Sequence, residues 1–147
     1  MVRDAYYLAL DPGTHTGWAT WDEQGTIITM GTTHSDDELI EFLDSLPSTI
    51  KVVIYEDFTL WEHKAVQQRG SKMPASKAIG IIKTFAKKWK AKIVSQSPNI
   101  KSTAEKWTGV STKRMAKAKT HVLDAFNHGE YHLIRNNIKP IKIKGIN

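Results

Sequence analysis

The chain has 147 residues, no cysteine, and a formal net charge of +6 from 21 basic and 15 acidic residues. A chain of this length closes one hydrophobic core, so a single domain over residues 1–147 is expected. The missing thiols exclude disulfide frameworks, thiolate zinc sites and cysteine nucleophiles, so any metal must be held by oxygen and imidazole.

No apolar run approaches the roughly 20 residues of a membrane span, and the first residues lack a signal peptide's pattern. A soluble intracellular protein without membrane contact is expected. The charge is unevenly split: residues 1–50 hold one basic residue, Arg3, and nine acidic ones, and the remainder holds 20 basic and six acidic. The basic C-terminal two-thirds reads either as a footprint for a polyanion or as a solvated lysine-rich surface.

In chain order, Ala5 to Leu10 reads as a buried strand, Trp18 to Trp21 as a second and Thr26 to Thr32 as a third, with Asp22-Glu23-Gln24-Gly25 as the hairpin turn. Ser35, with Glu38 three positions on, predicts the start of a helix whose apolar face is Leu39, Ile40, Phe42, Leu43 and Leu46, before Pro47 stops it. Lys51 to Tyr55 is a β-branched strand ending at Glu56-Asp57. A polar loop is expected from Thr59 to Met73, then a helix from Pro74 to Lys90 with Ile79, Ile82, Phe85, Ala86 and Trp89 as its stripe. Ala91 to Ser95 is a fifth strand. Ser97-Pro98-Asn99 opens a helical segment through Trp107, and after Gly109 a last helix, capped by Thr112, runs to Leu133. Residues from about 134 to 147 read as a basic tail. The pattern predicts an α/β fold: a mixed five-stranded sheet flanked by helices.

Asp11 ends the first strand, Glu56 ends the fourth, and Asp124 lies inside the last helix. In a mixed sheet the first and fourth strands can be neighbours, bringing the two strand-end acids together with the helix laid across them. Converging buried carboxylates repel unless protons or cations intervene, and hard divalent cations prefer oxygen ligands. Magnesium is the natural occupant. Two such ions would suit in-line phosphodiester hydrolysis, with manganese as a substitute. His121, Asp124 and His128 fall at i, i+3 and i+7, hence on one helix face, so His121 reaches the same site as Asp124. His128 is read as a solvated or otherwise satisfied imidazole.

The motifs Leu10-Asp11-Pro12-Gly13 with Gly17-Trp18, Ile54-Tyr55-Glu56-Asp57-Phe58, Ser97-Pro98-Asn99-Ile100-Lys101 with Thr108-Gly109, and His121-Val122-Leu123-Asp124-Ala125 occur in that order over about residues 5–133. In this the chain resembles the RuvC-like Holliday-junction resolvases, nucleases of the RNase H-like superfamily, of a compact phage or bacterial type. The resemblance implies a magnesium-dependent endonuclease that nicks four-way junctions and other branched DNA in the cytoplasm of a bacterium or phage-infected cell. Asp11, Glu56, His121 and Asp124 match the family's metal-binding and catalytic positions. Asp57 is the alternative to Glu56, which strand alternation favours if the strand has not yet broken into loop.

Lys72, Lys77, Lys83, Lys101, Lys106, Lys113, Arg114, Lys117 and Lys119 are candidates for phosphate contact, Lys113 to Lys119 foremost because they lead into the His121-Asp124 helix. Phe58 and Trp61 are candidates for stacking on opened bases, with a core role the alternative for Phe58. The family's need to cut two strands implies a two-fold homodimer, built through the Pro74 to Trp89 region. Three rivals are a nuclease of RNA/DNA hybrids using Glu41, an ATPase or kinase whose phosphate loop is Asp11-Pro12-Gly13-Thr14, and a DNA-binding module that has lost its chemistry.

Overall fold

A computed structural model describes residues 4–57, 69–113 and 117–141, with side chains described at all of these but 69–74 and 117–119. Its strands are β1 (Tyr7–Asp11), β2 (Thr16–Trp21), β3 (Ile27–Thr33), β4 (Val52–Glu56) and β5 (Lys92–Gln96), in the order β3-β2-β1-β4-β5. The helices are α1 (Asp36–Ser45), α2 (Arg69–Trp89), α3 (Lys101–Thr108), which follows a 3-10 turn over Pro98–Ile100, and α4 (Lys117–Arg135). The first three strands form an antiparallel meander, and β4 and β5 add in parallel, giving the expected mixed sheet with helices on it.

Local chemistry explains the joints. Gly25 takes φ 87°, and Asp22 Oδ1 accepts from the amides of Gln24 (3.0 Å) and Thr26 (2.9 Å), which closes the β2–β3 hairpin. Ser35 Oγ accepts from Glu38 N at 3.1 Å, capping α1 as its spacing predicts.

The pleat divides the apolar residues between two layers. Leu8, Leu10, Val53 and Tyr55 pack with Leu39 and Leu43 of α1 and Ile82 and Ala86 of α2. Tyr7, Ala9, Ala19, Trp21 and Ile54 face the other way, against Leu133 and Phe126 of α4. Ile40, expected on the buried face of α1, is instead 41% exposed, because Leu39 and Leu43 already fill that layer.

Three boundaries differ from the sequence reading. Helix α2 begins at Arg69, so residues 69–73 are helical rather than loop. Pro74 therefore lies inside it and leaves the Gly70 carbonyl without a helical donor, a loss confined to the second turn. Thr112 lies outside the last helix; it is buried, and its amide donates to Glu105 Oε2 at 3.2 Å. Beyond Leu133 the chain turns back onto the domain at Ile138 and Lys139, whose ammonium reaches Glu130 Oε2 at 2.8 Å, while that same oxygen accepts from Trp21 Nε1 at 2.9 Å.

Two glycines set the seam between α4 and the sheet. A Cβ on Gly17 would lie 2.0 Å from the carbonyl oxygen of His121, and one on Gly129 would lie 1.9 Å from the Trp21 ring. Only residues without a side chain let helix and strand approach so closely.

Candidate active site

Strand alternation places Asp11, Glu56 and Gln96 on the α4 side of the sheet, at the C-terminal tips of three adjacent parallel strands. Leu10 pairs with Tyr55, so Asp11 and Glu56 come next in register, and Glu56 pairs with Gln96. Asp11 pairs on its other side with Gly17, the residue on which the α4 backbone rests. His121 is thereby set beside the strand tip, its Nδ1 3.1 Å from Asp11 Oδ2. One turn further along α4 comes Asp124, and another turn on comes His128.

Each acid meets a basic group. Lys101 Nζ, from the first residue of α3, lies 3.2 Å from Asp124 Oδ1. His128 is 2% exposed; its Nε2 lies 3.2 Å from Glu56 Oε1 and its Nδ1 2.6 Å from Gln96 Oε1. The Lys101–Asp124 contact is an ion pair outside hydrogen-bonding angles, so among the described residues buried Asp124 Oδ1 has no hydrogen-bond donor.

The charges act on one another. Burial, foremost, pushes Asp11 up to about 6; the charges of Glu56 and Asp124 push the same way, against the hydrogen bond from His121. Burial also raises Asp124, against the pull of the Lys101 ammonium. Burial would raise Glu56 too, but the hydrogen bond and charge of His128, with help from Asp11 and Lys101, hold it below the usual carboxylate range. His121 is raised, chiefly by its hydrogen bond with Asp11. Two adjacent carboxyls pushed in opposite directions form a pair able to share a proton.

Helix α3 is held against α4 by a short polar chain. Thr108 Oγ1 donates to Asn127 Oδ1 at 2.7 Å, and Asn127 Nδ2 donates to the Val110 carbonyl at 3.0 Å. Gly109 ends α3 in the left-handed region, with φ 76°. At the other end, Ser97 Oγ accepts from Asn99 N at 3.1 Å and opens the turn that delivers Lys101. The Thr108-Gly109 and Ser97-Pro98-Asn99 motifs thus fix the lysine that faces Asp124.

Of the residues singled out in the sequence, Asp11, Glu56, His121 and Asp124 are brought together. Asp57 follows the end of β4, and its amide donates to the Gln96 carbonyl at 2.9 Å. Lys101, expected to touch phosphate, faces Asp124, and with Lys113 it lines a groove of about 590 Å³ between α3 and the start of α4. Lys77, Lys83 and Lys106 are exposed on α2 and α3. The backbones of Lys72, Lys117 and Lys119 lie in helices, but their side chains, like Phe58, Trp61 and Arg114, fall outside the described residues. Glu41 is exposed on α1, which packs on the opposite face of the sheet, so the carboxylate on which the hybrid-cleaving alternative relied does not join the cluster.

His128 and Gln96 were missed as parts of the site. The signal for His128 was its place seven residues after His121 on one helix face; Gln96, at the tip of an edge strand, had none without the register.

Asp11, Glu56 and Asp124, with His121, offer a cation hard oxygen donors and one imidazole, and Asp124 Oδ1, buried and without a hydrogen-bond donor, has only the Lys101 ammonium beside it. Among the described residues no three of these groups are gathered closely enough to hold a metal, and each acid is instead in contact with a lysine or histidine of the protein.

No protein-family model matches the chain. No curated protein matches it in sequence either. Solved structures do share its fold. Thermus thermophilus RuvC in complex with a Holliday junction substrate aligns over 92% of this chain and 97% of its own, with a TM-score of 0.66 and 14% identity. A second structure of Thermus thermophilus RuvC aligns over 90% and 96%, with a TM-score of 0.57 and 13% identity. At such identities the likeness is one of architecture: this chain has a RuvC-like, RNase H-like fold.

Proposed function

We propose that this protein is a divalent-metal-dependent endonuclease that nicks branched DNA, four-way junctions above all, by phosphodiester hydrolysis. The observation that carries this reading is the convergence of Asp11 and Glu56, next to one another at the tips of β1 and β4, with Asp124 on the helix laid across them. Asp11 and Glu56, both buried, and the partly buried Asp124 repel one another when ionised, a cost that a bound cation would relieve. The shared fold with a RuvC bound to a Holliday junction supplies the substrate class.

Asp11, Glu56 and Asp124 would hold magnesium, two ions per site with manganese as a substitute, and His121 is a further ligand or an orienting group. Bound cations would supply the positive charge that stabilises a phosphodiester under attack and would activate water. The chain's own residues do the rest. His121 holds a proton near Asp11, since the hydrogen bond between them favours the charged imidazole. His128 fixes the Glu56 carboxylate from behind. Lys101 neutralises Asp124 until a bound cation takes over that role and frees the ammonium for phosphate, and the groove it shares with Lys113 gives a DNA backbone a basic approach. A two-fold dimer presenting two equivalent sites completes the reading.

The test is a nicking assay in magnesium on a four-way junction, with linear duplex, flap and RNA/DNA hybrid as controls. Junction cleavage that is lost in chelator and exceeds all three controls is expected. Preferential hybrid cleavage, or binding without cleavage in any divalent metal, would overturn it.

A further inference from the structure

Beside the acidic cluster stands a pair of side chains that the proposed reaction does not use. His15 lies in the turn between β1 and β2, His34 in the connection from β3 to α1, and both are exposed. Their Nδ1 atoms are 3.1 Å apart, with ring centroids 5.2 Å apart and planes crossing at 69°.

The scaffold fixes the backbone that carries both rings. Thr16 pairs with Thr33 at the end of the β2–β3 ladder, so residues 15 and 34 are the next to leave it on the two strands. Thr16 Oγ1 donates to the Gly13 carbonyl at 3.3 Å, which closes the turn around His15. Glu38 Oε1 accepts from the His34 amide at 3.3 Å, which ties the second connection to the first turn of α1.

A hydrogen bond between two neutral imidazoles would give such a contact, and so would two adjacent ligands of one metal ion. With zinc–nitrogen bonds of about 2.0–2.1 Å, the nitrogens are separated by roughly 2.9 Å at a right angle and roughly 3.4 Å at the tetrahedral angle. The observed 3.1 Å lies between these. Imidazole pairs favour zinc, nickel and copper, whereas magnesium favours carboxylate and water, so the pair and the acidic cluster differ in the metal each would take.

We propose that His15 and His34 form a two-ligand site for a divalent transition-metal ion of the zinc class, separate from the acidic cluster, with solvent completing its coordination. The His15 ring lies 6.2 Å from that of His121, so the ion stands on the rim of the cluster. It clamps the turn that follows Asp11 to the start of α1. This site does not depend on the nuclease reading.

The experiment is calorimetric titration of the full chain with zinc chloride at neutral pH, with and without excess magnesium. Wild type, His15→Ala, His34→Ala and Asp124→Asn are compared, and melting without zinc checks that each variant folds. In excess magnesium one zinc per chain is expected, weakened by at least about tenfold in either histidine variant and unchanged by Asp124→Asn. Without magnesium, any further zinc taken up by the acidic cluster should be lost in Asp124→Asn while the histidine-dependent site is retained. Histidine side-chain NMR should show zinc moving the His15 and His34 resonances but not that of His132. No binding in the micromolar range, equal binding by His34→Ala, or loss in Asp124→Asn of the binding seen in excess magnesium would each overturn the proposal.

Discussion

His128 Nε2 lies 3.2 Å from Glu56 Oε1, both residues being buried, and Gln96 holds the other ring nitrogen at 2.6 Å. The three residues come from α4, β4 and β5, so a single side chain ties the helix to both strand tips. Replacing His128 by Leu would leave the buried Glu56 carboxylate without that partner, at about 1–3 kcal/mol. Junction nicking should fall by about 10- to 100-fold, the usual effect of losing a group that orients a metal ligand. His128→Gln, which retains a donor, should lie between wild type and Leu in both melting temperature and kcat/KM.

Asp11→Asn and Asp124→Asn should each lower magnesium-dependent nicking by on the order of 10³-fold or more, about 4 kcal/mol of transition-state stabilisation. Junction affinity, measured by fluorescence anisotropy in calcium, should change little. Glu56→Gln should behave alike and Asp57→Asn should be milder. The reverse ranking would make Asp57 the ligand.

Asp11 also sets a pH dependence of stability. Its carboxyl has an ordinary value of 3.8 and is pushed up to about 6 in the fold, so the native state binds its proton more tightly than the unfolded chain does. The corresponding stability is fully present below the unfolded value and is lost as pH rises through about 6. Above that, the ionised, buried acid costs up to about 3 kcal/mol. Without metal, Asp11→Asn should therefore melt higher than wild type near about pH 8, and the gap should close by about pH 4. Thermal melts in chelator across that window check both ends.

Gly17→Ala should be among the more damaging single-methyl additions in the chain. The new Cβ would meet the His121 backbone at 2.0 Å, and neither a strand nor a helix backbone gives way easily. A loss of about 1–3 kcal/mol or more is expected. The displaced α4 should also carry His121 and Asp124 away from Asp11, so nicking should fall more than the fraction unfolded explains. Denaturant melts and activity on the same preparations separate the two effects.

Much of this arrangement was legible in the chain. Asp11 and Glu56 each close a run of apolar residues, and His121 and Asp124 share a helix face by spacing alone. Periodicity cannot say which strands pair, however, and it is the parallel β1–β4 register that sets Asp11 beside Glu56. Pro74 misled in the ordinary way: proline marks first turns often enough to hide a helix that starts five residues earlier. Gln96 and His128 carry no motif, since a buried amide and imidazole reveal their purpose only through the atoms they touch. The role of Gly17 lay in the absence of a side chain, which a sequence displays without saying what fills the space.

The strand order also has a kinetic consequence. The β1–β2–β3 meander joins neighbours in sequence and can form early, whereas Asp11 and Glu56, 45 positions apart, meet only when β4 docks against β1. Repulsion between the acids is thus deferred to a late, long-range step. A chain refolding without divalent cations should hesitate there, and Asp11→Asn should pass that step faster.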